Sequence, residues 1–154
     1  MLVPASYAQE LEPRAYSNLP IGMNFLLVGY GNTDGSLLFD PSVPIQGANA
    51  QSDIAVTAYA HSFSLAGRTA KIGFVLPYVK LFANGVIEGQ YRERKVSGLA
   101  DPTLLFTLSL SGAPALTLDE FRRYKQDTIT GFTLKLVAPL GQYDSDRLIN
   151  LGTN

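Results

Sequence analysis

From Arg68 to Tyr78 the chain alternates without a break. Ala70, Ile72, Phe74, Leu76 and Tyr78 form one file, all apolar and ending in an aromatic. Thr69, Lys71, Gly73, Val75 and Pro77 form the other, smaller and carrying a charge. A strand throws successive side chains to opposite faces, so the pattern predicts one oily face and one mixed face. Residues 101–111 repeat it, with Pro102, Leu104, Phe106, Leu108 and Leu110 set against Thr103, Leu105, Thr107 and Ser109. So do residues 127–139, with Phe132, Leu134, Leu136 and Ala138 set against Gly131, Thr133, Lys135 and Val137. Residues 53–63 form a further strand, and 23–30 another whose near-continuous apolar run leaves its facing ambiguous.

The connections vary. Residues 31–52 are rich in Gly, Asn, Asp, Ser and Pro and read as a long loop, whereas 64–67 read as a tight turn. Residues 80–100 read as a second long connection. They hold Asn84-Gly85, a hairpin turn signal, and the charge cluster Arg92-Glu93-Arg94-Lys95. Thr117-Leu118-Asp119-Glu120 fits a capping box opening a short helix over 118–125. The expected fold is therefore all-β, an antiparallel meander with one short helix.

Two architectures write this pattern. In a soluble sandwich or barrel the oily face is the core. In a transmembrane β-barrel it meets lipid, and strands of about ten residues with a dyad repeat and alternating short turns and long loops suit that case. Composition bears on the choice. Only 16% of the 154 residues are charged against 46% hydrophobic, and soluble domains usually carry about 25% charge. No stretch approaches the roughly 18 apolar residues of a spanning helix, so a membrane-spanning chain of this kind has to be a barrel. A formal net charge of −1 gives no sign of nucleic-acid binding. Absence of cysteine removes disulfides and thiolate metal sites.

On the barrel reading the lysines fix the facing, because a lysine at mid-depth in lipid costs about 2–4 kcal/mol. Lys71, Thr107, Thr133 and Lys135 then face the lumen. Ile72, Phe74, Leu76, Leu104, Phe106, Leu108, Phe132, Leu134 and Leu136 face lipid. Tyr30, Phe63 and Tyr78 sit near strand ends, where aromatic girdles form. The chain divides into 1–8, whose Ser6-Tyr7-Ala8 resembles the end of a signal peptide, a periplasmic lead-in over 9–22, and a partial barrel over 23–154. With Ala8 in the periplasm, the long loops fall outside the cell and the short turn and helix inside.

Chemistry is sparse. His61 has no carboxylate or thiolate partner close in sequence. Asp144 and Asp146, with Gln142 and Asn150, lack the glycine and terminal glutamate of an EF-hand and read as a solvated loop. Gly29-x-Gly31 opens no βα unit, and no nucleophile elbow or P-loop is present. No enzyme, cofactor or metal is expected.

Several segments together resemble a known family. These are Pro20-x-Gly-x-Asn24, Leu38 to Ser42, Leu76-Pro77-Tyr78, Ser97 to Pro102, and above all Ala138 to Asp144, read APLGQYD. The chain resembles the outer-membrane proteins grouped under the MetA pathway of phenol degradation, with Ala100 where the family usually has glycine. The resemblance implies a bacterial outer-membrane barrel that passes small hydrophobic or aromatic compounds, with outer-membrane lipid as its partner. Members are longer chains. This one is expected to be the N-terminal part of a barrel, since closure needs an even number of strands and at least eight. The alternative is a soluble periplasmic barrel or sandwich holding a small apolar ligand.

Overall fold

The computed structural model describes residues 17–36, 45–145 and 150–153. The signal-peptide resemblance at 1–8, most of the lead-in, the Leu38 to Ser42 motif and Asp146 lie outside them.

The fold is one antiparallel sheet. Its strands are β1 (Asn24–Ser36), β2 (Ile45–Leu65), β3 (Arg68–Ile87), β4 (Gln90–Leu99), β5 (Thr103–Ser111) and β6 (Thr130–Val137). The order across the sheet is β1-β2-β3-β5-β6, with β4 also on β3. β4 and β5 lie end to end along the same edge of β3. Leu99 pairs with Tyr78 and Thr103 with Val75, so 100–102 hold one residue more than the facing stretch, a bulge in an otherwise continuous strand. Among the described residues no second sheet or helix layer covers either face.

The strands are longer than the alternation suggests. β2 has 21 residues and β3 has 20. Most of the expected loops over 31–52 and 80–100 are strand, built as tall hairpins. Their polar side chains pair across the ladder: Thr33 with Ser52 at 2.7 Å, Ser36 with Asn49 at 3.0 Å. Polar residues fall on both faces there, so the period-2 contrast fades while the pairing continues. The expected loop rhythm is corrected accordingly. β3 and β4 are joined by a two-residue turn, not a long loop, and it lies at Glu88-Gly89 instead of Asn84-Gly85. Glu88 (φ 51°) and Gly89 (φ 77°) both take positive φ, as Ala66 (48°) and Gly67 (73°) do in the β2–β3 turn. This is the primed turn geometry that matches strand twist. Asn84 and Gly85 stay in the ladder opposite Glu93 and Arg92.

The Ala66-Gly67 turn and the β5–β6 connection lie at one end, here the turn end. The Thr69 amide donates to Ala113 O and that of Ala115 to Gly67 O. Ala70, Ala113, Ser62, Thr69 and Ser109 are buried at this end, and Ala48, Ala83 and Val96 are buried in the tall hairpins at the other. Residues 17–22 lie against the sheet here. The Ser62 hydroxyl donates to Pro20 O at 2.6 Å and accepts from the Met23 amide at 3.1 Å, and Asn18 Nδ2 donates to Pro114 O.

The helix α1 (Leu118–Phe121) is shorter than the expected 118–125. Its capping box is present: the Thr117 amide donates to the Glu120 carboxylate at 2.8 Å, and the Glu120 amide to Thr117 Oγ1. The Thr117 amide and hydroxyl, which both donate to the carboxylate, hold the Glu120 carboxyl below its usual range, so the box survives mild acid and opens as pH falls further. The helix ends early because the amides of Arg123 and Tyr124 bond three residues back, and the Tyr124 hydroxyl is drawn to Gly112 O.

Candidate functional site

Cross-strand partners share a face, so register sorts every strand side chain. Asn24, His61, Ile72, Phe106 and Leu134 form one row. Leu26, Tyr59, Phe74, Leu104 and Leu136 form the next. Ala70, Leu108 and Phe132 belong to the same face, as do Leu76 with Thr57 and Val28, and Tyr78 with Ala55 and Tyr30. The expected lipid-facing residues are thus one contiguous band running from β1 to β6. The band is open: Ile72 is 40% exposed, Leu104 40% and Leu134 51%. His61 lies on this face too. Its Nδ1 is 2.9 Å from Asn24 Oδ1 and its ring stacks on Phe63.

Above the band the same face turns polar. Tyr30 donates to Asp53 at 2.7 Å, and Lys95 lies 5.1 Å from the centre of the Phe82 ring. A cleft of about 620 Å³ opens here, lined by Asp34, Asp53, Lys80 and Lys95 among others. Two carboxylates face two ammonium groups in it, so it has no preferred sign of charge.

Lys71, Thr107, Thr133 and Lys135 share the opposite face, here the mixed face. Lys71 pairs with Thr107, Thr107 with Thr133 and Leu105 with Lys135. The two threonine hydroxyls lie 2.8 Å apart, and Lys71 Nζ donates to Ser17 O at 3.5 Å. The segment before β1 therefore runs along this face at the turn end.

Two features of the mixed face escaped the sequence. The first is in β4. Arg92 pairs with Gly85 and Arg94 with Ala83, which puts both guanidinium groups on the mixed face and sends Glu93 and Lys95 to the other. Reading the charge cluster as loop hid this alternation.

The second is a knot around Asp101, in the bulge. Its carboxylate accepts from the Gly141 amide at 2.7 Å, the Thr153 amide at 2.7 Å and the Thr153 hydroxyl at 2.6 Å. The Gln142 amide donates to Leu99 O, and the amides of Leu151 and Gly152 to Gln142 O. A Cβ on Gly98 would strike the Gln142 side chain, and Cβ atoms on Gly141 and Gly152 would strike Asp101 and each other's backbone. The Ser97–Pro102 and Ala138–Asp144 motifs therefore meet in space, and glycine is what lets them. Gly98 projects on the mixed face, so the segment after β6 is tied across that face. Asp101→Ala removes the common acceptor. Chymotrypsin cleavage beside Tyr143 is expected to quicken several-fold with the sheet intact; an unchanged rate would mean the knot does not hold the segment.

Among the described residues no group of three His, Cys, Asp or Glu side chains could hold a metal. Asp144 is tied to Asn150 through a pair of 3.0 Å hydrogen bonds between the Asn150 amide group and the Asp144 backbone. No helix is long and apolar enough to cross a membrane, which says nothing of strands.

A family model described as "Putative MetA-pathway of phenol degradation" matches residues 30–154. No curated protein and no solved structure matches the chain. With most of its length covered, from the middle of β1 through the knot, the chain belongs to the family of the MetA pathway of phenol degradation.

Proposed function

We propose that this chain forms part of the wall of a bacterial outer-membrane β-barrel, a channel for small hydrophobic or aromatic compounds and not an enzyme. The observation that carries the reading is the uncovered apolar band. An exposed patch running across β1, β2, β3, β5 and β6 exceeds what a soluble surface tolerates. Its rows from Ala70 to Tyr78 span roughly 26 Å along the strand, the scale of a tilted transmembrane strand. Tyr30 and Tyr78 border it at one margin, and the Asp53–Lys80 row lies beyond them. The soluble alternative needs a second layer over this face, and the described residues supply none.

The ladder edges of β1 and β6 carry no further partner strand among the described residues. Bare edges are not stable in hydrocarbon, so closure requires additional strands. Lipid is the partner on the band, and solutes pass on the mixed face. The test is fractionation of the protein as the cell makes it. It is expected in outer membranes after carbonate or urea washing, with heat-modifiable mobility on gels. Recovery in the soluble fraction would overturn the proposal.

A further inference from the structure

The strand charges are segregated by face. On the band's face lie three carboxylates, Asp34, Asp53 and Glu93, and three cations, Arg68, Lys80 and Lys95, a balanced set. On the mixed face lie Lys71, Lys135, Arg92 and Arg94, and among the described strand residues no carboxylate shares it. The cations stand at two levels. Lys71 and Lys135 are near the turn end, at the level of Lys71–Gly73 on β3. Arg92 and Arg94 are near the tip of the β3–β4 hairpin, at the level of Ala83–Gly85. About ten residues of β3, roughly 33 Å, separate the two levels. The surface between them is apolar or small, with Val75, Val79 and Leu81 on β3 and Ile54 and Val56 on β2. Arg94 is half-buried and its Nε has no hydrogen-bond partner. The Asp101 carboxylate in the bulge is occupied by Gly141 and Thr153.

We propose that the solutes favoured by this wall are anions with an apolar body, aromatic or short aliphatic carboxylates, rather than neutral hydrocarbons. The inference rests on the channel reading above and adds the sign of the solute's charge. The arginine pair meets the carboxylate at the outer end. Guanidinium suits that partner because its planar donors match a carboxylate two at a time. The apolar body then rests on the adjoining Leu81 and Val96 of the same face. A pair of guanidinium groups on the wall raises the local concentration of anions, and pores lined by arginine pass anions.

The test is planar-bilayer recording of the protein as the cell makes it, under a KCl gradient. The reversal potential is expected to carry the sign of chloride preference, several-fold over potassium. Arg92→Gln with Arg94→Gln should reduce that preference markedly while conductance persists. Replacing chloride by benzoate on one side should leave a measurable inward benzoate permeability, whereas benzylammonium, the cation of similar shape, should be excluded. Potassium preference in the unaltered protein, or benzylammonium passing as readily as benzoate, would overturn the inference and leave the channel standing. Complete absence of conductance would overturn the channel reading and this one with it. Should the double variant fail to assemble, the benzoate and benzylammonium comparison decides alone.

Discussion

Phe74→Lys is expected to block assembly into the membrane, whereas Lys71→Leu, three residues away on the other face, is tolerated. Phe74 sits mid-band, paired with Tyr59 on one side and Leu104 on the other, and is 42% exposed on a face that no layer of the described residues covers. A lysine there places an ammonium group among acyl chains at a cost of about 2–4 kcal/mol, a sizeable part of a stability of 5–15 kcal/mol. Lys71 faces the other way and keeps company with Thr107 and the Ser17 carbonyl. Its replacement gives up polar contacts on the mixed face without placing charge on the band. Gel mobility of unheated samples and recovery in outer membranes score both variants. The reverse outcome would mean that the two faces are interchanged.

Gly112→Ala is expected to damage folding more than any other single methyl addition at the turn end. Gly112 takes φ +77°, where an L-residue costs about 1–2 kcal/mol. Its missing side chain also leaves room for the chain that returns to β6. A Cβ would overlap the Thr128 carbonyl and press on Ile129 Cα, both backbone. The Gly112 carbonyl is meanwhile held by the Tyr124 hydroxyl, so the turn cannot drift away freely. Gly22→Ala is the control, because Gly22 has the same φ but open space around the added methyl. Urea midpoints in detergent or lipid should fall clearly further for Gly112→Ala than for Gly22→Ala. Equal losses would show that backbone conformation alone matters and that the close approach to Thr128 does not.

The band was legible in the sequence because oil writes a sharp signal. Ile72 stands between Lys71 and Gly73 and Leu134 between Thr133 and Lys135, and the period of two survives any error in strand ends. Strand length was not legible. Beyond Tyr78 neither face of β3 is consistently oily, so Lys80, Phe82 and Asn84 alternate with Leu81 and Ala83 without a clean contrast, and pairing is held by backbone bonds that leave no compositional mark. Turn position failed for a related reason. Asn84-Gly85 has favourable turn chemistry, but Ala66 and Glu88, neither a usual choice for positive φ, occupy the turns actually made. The ladder's register overrides the local preference. The arginine pair and the Asp101 knot were invisible because each depends on pairing between segments far apart in sequence: β3 with β4, and 97–102 with 138–153.

In the proposed barrel the tall β3 strand would belong to two solvents, oil below Tyr78 and water above it. That division would pin the depth at which the molecule floats. Shifting it by one pair of residues would drag Lys80 and Asp53 into hydrocarbon or lift Leu76 and Tyr78 out. A bilayer of different thickness would then have to stretch or thin to meet the molecule at its margin. Such a barrel wall would act as a fixed gauge for the lipid around it, and its neighbours in the membrane would feel that deformation before they touched the protein.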